Sequence, residues 1–204
     1  MSEINNNEEK TTKEETVENT PKKNKAFLKD IVDYIEMFTI AIGFVLILFS
    51  FCFRLCTVSG DSMNQTLISG EKVIISDVFY SPKRGDIIVF HDTDTLNEPV
   101  IKRVIATEGE TVQTFYTASG MTVKITDKDG NVIYLEEDYI QYENYPIYLP
   151  NTYTVPEGSI FVMGDNRNNS KDSRDPDVGF VDEREILGRV LFRVTPLSKL
   201  GTVK

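Results

Sequence analysis

The sequence predicts a mainly β protein that is held in a membrane by a single helix. One observation is an apolar run without any charged residue, from Met37 to Phe53, near the start of the chain. A second is that the rest of the chain consists of β-branched and aromatic runs separated by turn residues, with little helical periodicity. The predicted strands are, in order, 71–80, 85–92, 99–107, 111–116, 121–127, 131–136, 158–165 and 186–196. Asp-Gly at 129–130 predicts a hairpin turn between the fifth and sixth of them.

The chain before the β domain divides into a tail and an anchor. Residues 1–30 are polar and acidic, with too little apolar surface to fold, and predict a disordered tail. Residues 31–56 contain the uncharged run and reach the ~20 residues that a helix needs to cross a bilayer. A buried core helix is the alternative, but such helices normally keep one polar face. A cleaved signal peptide would have a short basic start and an Ala-x-Ala site, and this chain has neither.

Charged residues around the anchor predict its orientation. Lys22, Lys23, Lys25 and Lys29 precede the apolar run, and only Arg54 closely follows it. By the positive-inside rule, the N-terminus faces the cytoplasm and residues 57–204 lie outside. We therefore expect a single-pass protein of the plasma membrane, with the lipid bilayer as one partner.

Composition argues against several classes of protein. The net charge of −10 argues against a nucleic-acid partner, which would require a basic face. Cys52 and Cys56 are four residues apart, which in a helix places them on one face as apolar residues without a disulfide. His91 is the only histidine and is predicted to lie on the surface after a strand, so a zinc site built on several Cys and His ligands is excluded by count. We expect no metal and no cofactor.

Two short stretches could together supply nucleophilic catalysis. "SGDSMNQTL" (59–67) contains Ser62, whose hydroxyl is a poor nucleophile until a base takes its proton. "VIKRVI" (100–105) places Lys102 on one strand face between Val100 and Val104. If that face is buried, desolvation lowers the pKa of the lysine and makes it a competent general base. Taken alone, however, each stretch is better explained as a polar turn or a lysine at a strand edge.

A third stretch, "FVMGDNRNNSKDSR" (161–174), is dense in Gly, Asp, Asn and Ser. A solvated loop is its simplest interpretation, and a calcium loop of the EF-hand type fails because Arg167 occupies the third ligand position. Together with "KRGDIIVF" (83–90) and "IKRVIATEGE" (101–110), these stretches occur in an order that resembles type I signal peptidases. These are membrane-anchored serine proteases that remove signal peptides from exported proteins. The resemblance covers nearly the whole chain from the anchor onward.

The resemblance implies a fold and a set of residue roles. The fold would be a signal-peptidase-like antiparallel β domain with a small inserted β cap at about 108–157. Ser62 would be the nucleophile and Lys102 the general base, acting on exported preproteins through an acyl-enzyme. Ser170 would orient Lys102 by a hydrogen bond. The remaining residues implied to brace the site are the pair Asp172 and Arg174, with Asp165 and Arg103 as further supports.

The resemblance also implies an oxyanion hole and a substrate groove. The backbone N–H of Ser62 would bind the oxyanion, with a second donor near position 60. Family members with a serine there use its hydroxyl as the donor, but this chain has Gly60, so the second donor stays open, with Ser59 one residue away. Met63, Leu67 and Ile101 match positions that line shallow apolar pockets for an extended substrate, and core packing is the alternative for each.

The chain departs from the family pattern at two points. Gln65 replaces the usual proline, and residues 106–109 read Ala-Thr-Glu-Gly where Gly-x-Pro-Gly is usual, so that loop shape is affected but no reactive group is lost. The main alternative is a specialised or non-catalytic relative that assists pilus assembly. A second alternative is a self-cleaving repressor-type protease, which would require a DNA-binding domain. A third is a membrane-tethered β domain that only binds a partner, for which Ser62 would not be required.

Overall fold

The computed structural model describes residues 20–92, 98–117, 120–140 and 148–203. The chain divides into two compact units, Met1–Phe49 and Ser50–Lys204, which we describe separately. Most of α1 (Thr20–Cys52) belongs to the first unit, and the helix segment Phe27–Cys52 has a mean hydropathy of 2.3 over its most apolar part. At ~1.5 Å per residue this segment exceeds the ~30 Å hydrocarbon core of a bilayer. The helix is therefore long and apolar enough to span a membrane.

Both ends of this helix differ from the sequence prediction. It begins at Thr20, so residues 20–30 are helical and not part of a disordered tail. A proline at the second position is compatible with this start, since its missing N–H would be unsatisfied there in any case. The helix ends at Cys52, and Cys56 lies on a β-strand paired with Val73. The placement of both cysteines on one helix face was wrong, although both are free thiols.

The second unit is built from antiparallel strands. In chain order they are β1 (Arg54–Thr57), β2 (Lys72–Ser76), β3 (Ile87–Asp92), β4 (Glu98–Thr107), β5 (Thr111–Thr117), β6 (Gly120–Thr126), β7 (Val132–Tyr134), β8 (Asn151–Thr154), β9 (Ser159–Met163), β10 (Val181–Asp182) and β11 (Ile186–Thr195). Short 3₁₀-helices cover Glu183–Glu185 and Leu197–Lys199. Within the described ranges the strands form a seven-stranded sheet, β1-β2-β11-β3-β4-β9-β10, and a four-stranded sheet, β7-β6-β5-β8. The predicted mainly β fold is confirmed.

The four-stranded sheet, here called the small sheet, lies between β4 and β9 in sequence. Its β6–β7 hairpin turns at the predicted Asp-Gly, where Gly130 has φ +86° and the Asp127 side chain accepts hydrogen bonds from the N–H groups of Asp129 and Asn131. The two sheets share a hydrophobic core. Its members include Ile105 and Phe161 of the seven-stranded sheet and Val123 and Ile125 of the small sheet, all fully buried. Burial of apolar surface between them therefore stabilises both sheets together.

The sequence patterns did not predict three short strands, β1, β8 and β10. The strand predicted for 71–80 ends at Ser76 because Asp77 to Tyr80 form a turn, closed by a Tyr80 N–H to Asp77 carbonyl bond of 3.2 Å. His91 lies within β3 and is half-buried, so its prediction as a surface residue after the strand was wrong. It continues the β3–β4 ladder, where it is paired with Pro99.

Candidate active site

Ser62 lies on the loop between β1 and β2, which we call the Ser62 loop (residues 58–71). Met63 and Leu67 are buried and hold this loop against the core, and the Leu67 N–H donates to the Met63 carbonyl at 2.9 Å. Gly60 has φ +80°, a conformation that glycine adopts without strain. The chain thereby turns sharply just before Ser62 and leaves that side chain half-buried, next to solvent.

Lys102 lies in the middle of β4, between β3 and β9 in the seven-stranded sheet. Only 3% of the residue is exposed. Its Nζ is 2.8 Å from Ser62 Oγ and also donates to the Ile101 carbonyl at 3.2 Å. Strand pairing on both sides fixes the backbone, so the amine is presented to Ser62 from a rigid element.

The loop after β9, residues 164–174, closes over the Ser62 loop. The Asn166 N–H donates to the Ser62 carbonyl at 2.9 Å, and Asn166 Nδ2 donates to the Asp61 carbonyl at 3.0 Å. A Cβ added at Gly164 would lie 2.5 Å from the Ser62 carbonyl oxygen and would overlap Ser170 Oγ. Glycine is therefore needed at 164 for the close approach of the two loops.

Asp172 and Arg174 form a buried bidentate ion pair within this loop. Arg174 Nε and Nη2 each donate to the carboxylate at 2.8 Å, and the two side chains are 1% and 0% exposed. Burial alone would raise the pKa of Asp172, but the hydrogen bonds and charge of Arg174 hold that pKa below its usual value. Asp172 also accepts the Gly164 N–H at 2.9 Å, so the pair supports the backbone that meets Ser62.

A second buried ion pair joins the loop to the strand that carries Lys102. Arg103 donates from Nε and Nη2 to Asp165 at 2.8 and 2.7 Å, and from Nη1 to the Gly85 carbonyl at 2.8 Å. The Thr66 hydroxyl donates to the same carboxylate. Asp165 therefore connects the Ser62 loop, β4 and the 164–174 loop at one point.

Comparison with known proteins relates this arrangement to a family. Residues 31–195 match the family described as signal peptidase, peptidase S26. The chain belongs to this family. It is 36% identical to a probable signal peptidase I-1 from Synechocystis over 84% of this chain and 86% of that protein. It is 33% identical to signal peptidase IB from Staphylococcus aureus over 84% and 93% of the two chains. A solved signal peptidase I from Enterococcus faecalis matches at 33% identity over 54% of this chain and 97% of that one, with a TM-score of 0.43.

As a signal peptidase of family S26, the chain is a serine peptidase, and the resemblance inferred from its motifs is confirmed. One contact expected of this peptidase is absent among the described residues. The Ser170 hydroxyl is buried against Gly164 and does not meet Lys102 at hydrogen-bond geometry, so the expected bond from Ser170 to Lys102 is not formed. The hydroxyl is near the Asp172 carboxylate instead, where it helps to lower the pKa of that group. Lys102 Nζ instead points to Ser62 and to the Ile101 carbonyl.

The residues predicted to line substrate pockets lie in the core of the peptidase. Met63, Leu67 and Ile101 are 2%, 0% and 9% exposed and belong to one hydrophobic cluster with Val58 and Val73. A fully buried side chain offers no surface to a substrate. Met63 and Leu67 are therefore better explained by core packing, which was the alternative for each of these residues. Among the described residues, no group of three or more His, Cys, Asp or Glu side chains is placed to hold a metal ion.

Sequence analysis missed several residues around the site. Thr66 was not predicted to have a role, yet its hydroxyl donates to the Asp165 carboxylate. Its position directly before the buried Leu67 indicates from the sequence that it lies close to the core. Arg167 was considered only as a failed metal ligand, yet its side chain is 1% exposed and forms an ion pair with Glu137. Burial lowers and Glu137 raises the pKa of Arg167, and the net direction is upward. A long-range pair of this kind leaves no local pattern in the sequence.

Proposed function

We propose that Ser62 and Lys102 are the catalytic dyad with which this signal peptidase removes signal peptides from exported preproteins. The observation that carries the proposal is the 2.8 Å contact between Lys102 Nζ and Ser62 Oγ, made by a lysine that is 3% exposed. This distance lies within the range required of a general base and its nucleophile. Burial disfavours the ammonium form, which is the form that cannot accept a proton.

The geometry supports a sequence of proton transfers. Neutral Lys102 takes the proton of the Ser62 hydroxyl as Oγ attacks the scissile carbonyl carbon. The oxyanion that forms accepts a hydrogen bond from the Ser62 backbone N–H. Lys102 then gives the proton to the leaving amine, and the C–N bond breaks to leave an acyl-enzyme. A water molecule, deprotonated by Lys102, hydrolyses the ester and restores Ser62.

The two buried ion pairs would serve this chemistry as supports. Asp172–Arg174 fixes the Gly164 backbone, and Asp165–Arg103 ties β4 to both loops. In this proposal Ser170 acts by filling the space beside Gly164 and by its interaction with the Asp172 carboxylate, and not by a bond to Lys102. Lysine requires no third residue to select a tautomer, so the dyad is chemically sufficient.

The test is cleavage of a purified preprotein by the full chain in detergent, compared with Ser62→Ala and Lys102→Ala. We expect both variants to be inactive and still folded. Retention of activity by Ser62→Ala would contradict the dyad. A parent that cuts none of several preproteins would instead favour a non-catalytic relative of the pilus-assembly type.

We also propose that the peptidase is anchored in the plasma membrane with its β domain outside the cytoplasm. The apolar helix segment Phe27–Cys52 supports the anchor. The lysines at 22, 23, 25 and 29 support the orientation. Exported preproteins would then meet the enzyme on the outer face of the membrane.

A further inference from the structure

Two segments near the small sheet contact the arginines that surround the dyad. The first follows β7 and contains Glu137 and Tyr139, and the second precedes β8 and contains Tyr148. All three residues are partly buried, and the Glu137 side chain is 9% exposed. Their partners are the guanidinium groups of buried arginines.

Tyr139 and Glu137 act on Arg103 and Arg167. The Tyr139 ring centroid lies 4.0 Å from Arg103 Cζ and 6.0 Å from Arg167 Cζ, within the range of cation–π contacts. Glu137 pairs with Arg167, accepting Nη1 at 2.9 Å and also Nη2. The Tyr139 hydroxyl donates to the Glu137 carboxylate at 2.9 Å, which fixes the ring over the arginines.

Tyr148 makes the corresponding contact with Arg174. Its ring centroid lies 4.7 Å from Arg174 Cζ. Its hydroxyl donates to the Ser170 carbonyl at 3.3 Å, and its own carbonyl accepts the Tyr116 hydroxyl of β5 at 2.9 Å. The small sheet is thereby joined to the 164–174 loop through one side chain.

Each of the contacted arginines holds a part of the candidate site. Arg103 is the chain neighbour of Lys102 and pairs with Asp165. Arg167 donates from Nε to the Gly164 carbonyl at 3.0 Å. Arg174 pairs with Asp172 and donates to the Arg167 carbonyl at 3.1 Å. A guanidinium group has five N–H donors and two flat faces, and buried arginines that lack partners for these are costly.

We propose that Glu137, Tyr139 and Tyr148 are positioning residues that hold these arginines, and through them the Ser62 carbonyl and the Lys102 strand, in the reactive arrangement. The inference rests on the proposed function. The tyrosine rings and Glu137 contact the arginines, and Arg167 donates to the Gly164 carbonyl. The 164–174 loop in turn contacts the Ser62 backbone, where the Asn166 N–H donates to the Ser62 carbonyl. The segments that flank the small sheet therefore position the candidate site through these arginines.

The test compares three variants of the full chain in detergent: Glu137→Gln, Tyr139→Leu and Tyr139→Phe. For the first two we expect kcat on a preprotein to fall about tenfold to a hundredfold with KM unchanged, because small displacements of reacting groups have effects of this size. Tyr139→Phe keeps an aromatic ring that can lie over Arg103 and loses only the hydroxyl bond to Glu137, so it should lose less activity than Tyr139→Leu. The cleavage rates are divided by the concentration of folded enzyme. They are measured at a temperature well below the unfolding temperature of every variant.

Tyr80→Phe is the matched control. It removes a tyrosine hydroxyl that donates to a carboxylate, Asp86, at the same 2.9 Å, and this carboxylate pairs with Arg189, which is not one of the arginines named above. We expect it to keep the parental kcat. A loss of kcat in Glu137→Gln and Tyr139→Leu no larger than that of the control would overturn the inference, as would a change confined to KM. Those results would leave the proposed function intact, whereas a parent that cleaves no preprotein would remove both.

Discussion

Gly164 shows at the scale of one residue how closely the two loops of the site approach. Its backbone conformation is not the reason for glycine, since its φ is not positive; the reason is the absence of space. The Ser62 carbonyl and the Ser170 side chain occupy the volume that any Cβ would need. The residue type at 164 therefore controls the position of Ser62 directly.

We predict that Gly164→Ala loses most peptidase activity, because the new Cβ pushes the Ser62 backbone away from its position. The measurement is the cleavage rate per folded molecule. Gly130→Ala is the control, since its φ of +86° gives strain of about 1–2 kcal/mol without any steric contact. It should lower the stability of the fold and leave the cleavage rate unchanged. Equal effects of the two variants on activity would contradict the steric explanation.

A second prediction concerns the buried carboxylate of Asp172. Replacing it with asparagine leaves Arg174 buried without a counter-charge, which we expect to lower the free energy of unfolding by about 3–5 kcal/mol at neutral pH. The folded-state pKa of Asp172 lies below its unfolded value. The stabilisation is therefore present above the unfolded pKa and is lost as pH falls through the folded pKa.

The difference in stability between the parent and Asp172→Asn should accordingly shrink on acidification, as followed by denaturant unfolding at several pH values. Asp182→Asn provides the comparison. Its carboxyl also has a lowered pKa, about 2, from Arg184, but both groups are solvent-exposed and the pair contributes little. If the stability difference between the parent and Asp172→Asn did not change with pH, the proposed stabilisation by the charged Asp172 carboxylate would be contradicted.

At the scale of elements, β4 is the strand that organises the site. Its first part, up to Arg103, is paired with β3 and its second part, from Arg103 onward, with β9, so that Lys102 and Arg103 lie where the two pairings meet. Its residues Ile105 and Ala106 also belong to the core that the small sheet shares. Stability of the small sheet and rigidity of the base strand are thereby coupled through one cluster.

We predict that Ile125→Ala in β6 lowers the free energy of unfolding by about 2–5 kcal/mol, because it leaves a cavity in the shared core. The two sheets should still unfold in one transition. Seven of the nine tyrosines lie in the sequence between β4 and β9. Tyrosine fluorescence and amide exchange of β4 and β9 would then give the same midpoint. Separate midpoints would show that the sheets are independent.

At the scale of the whole molecule, the orientation in the membrane decides which compartment the site faces. We predict that a cysteine at Asp129, in the exposed β6–β7 turn, is labelled from outside intact cells by a membrane-impermeant reagent. A cysteine at Ser2 should be labelled only after permeabilisation. Both would be introduced after Cys52 and Cys56 are changed to alanine. The reverse pattern would contradict the positive-inside prediction.

Much of the fold was available in the sequence because it depends on local patterns. The uncharged apolar run predicted the membrane helix, period-two patterns predicted the longer strands, and Asp-Gly predicted the hairpin turn. Four ordered motifs identified the peptidase family. Strands as short as β1 and β10 were missed because a few residues carry no measurable period. Since β1 was not recognised, the predicted helix was extended to residue 56, whereas it ends at Cys52.

The sequence by itself determined the class of protein and the residue types of the candidate dyad. Only the tertiary structure decided that Lys102 reaches Ser62, which lies 40 residues away along the chain. It likewise decided that Ser170 faces Gly164, and that Glu137 pairs with Arg167. Such contacts are set by strand register and by the closure of two loops on one another. No local pattern of residues encodes them, because the partners are brought together by packing of the whole domain.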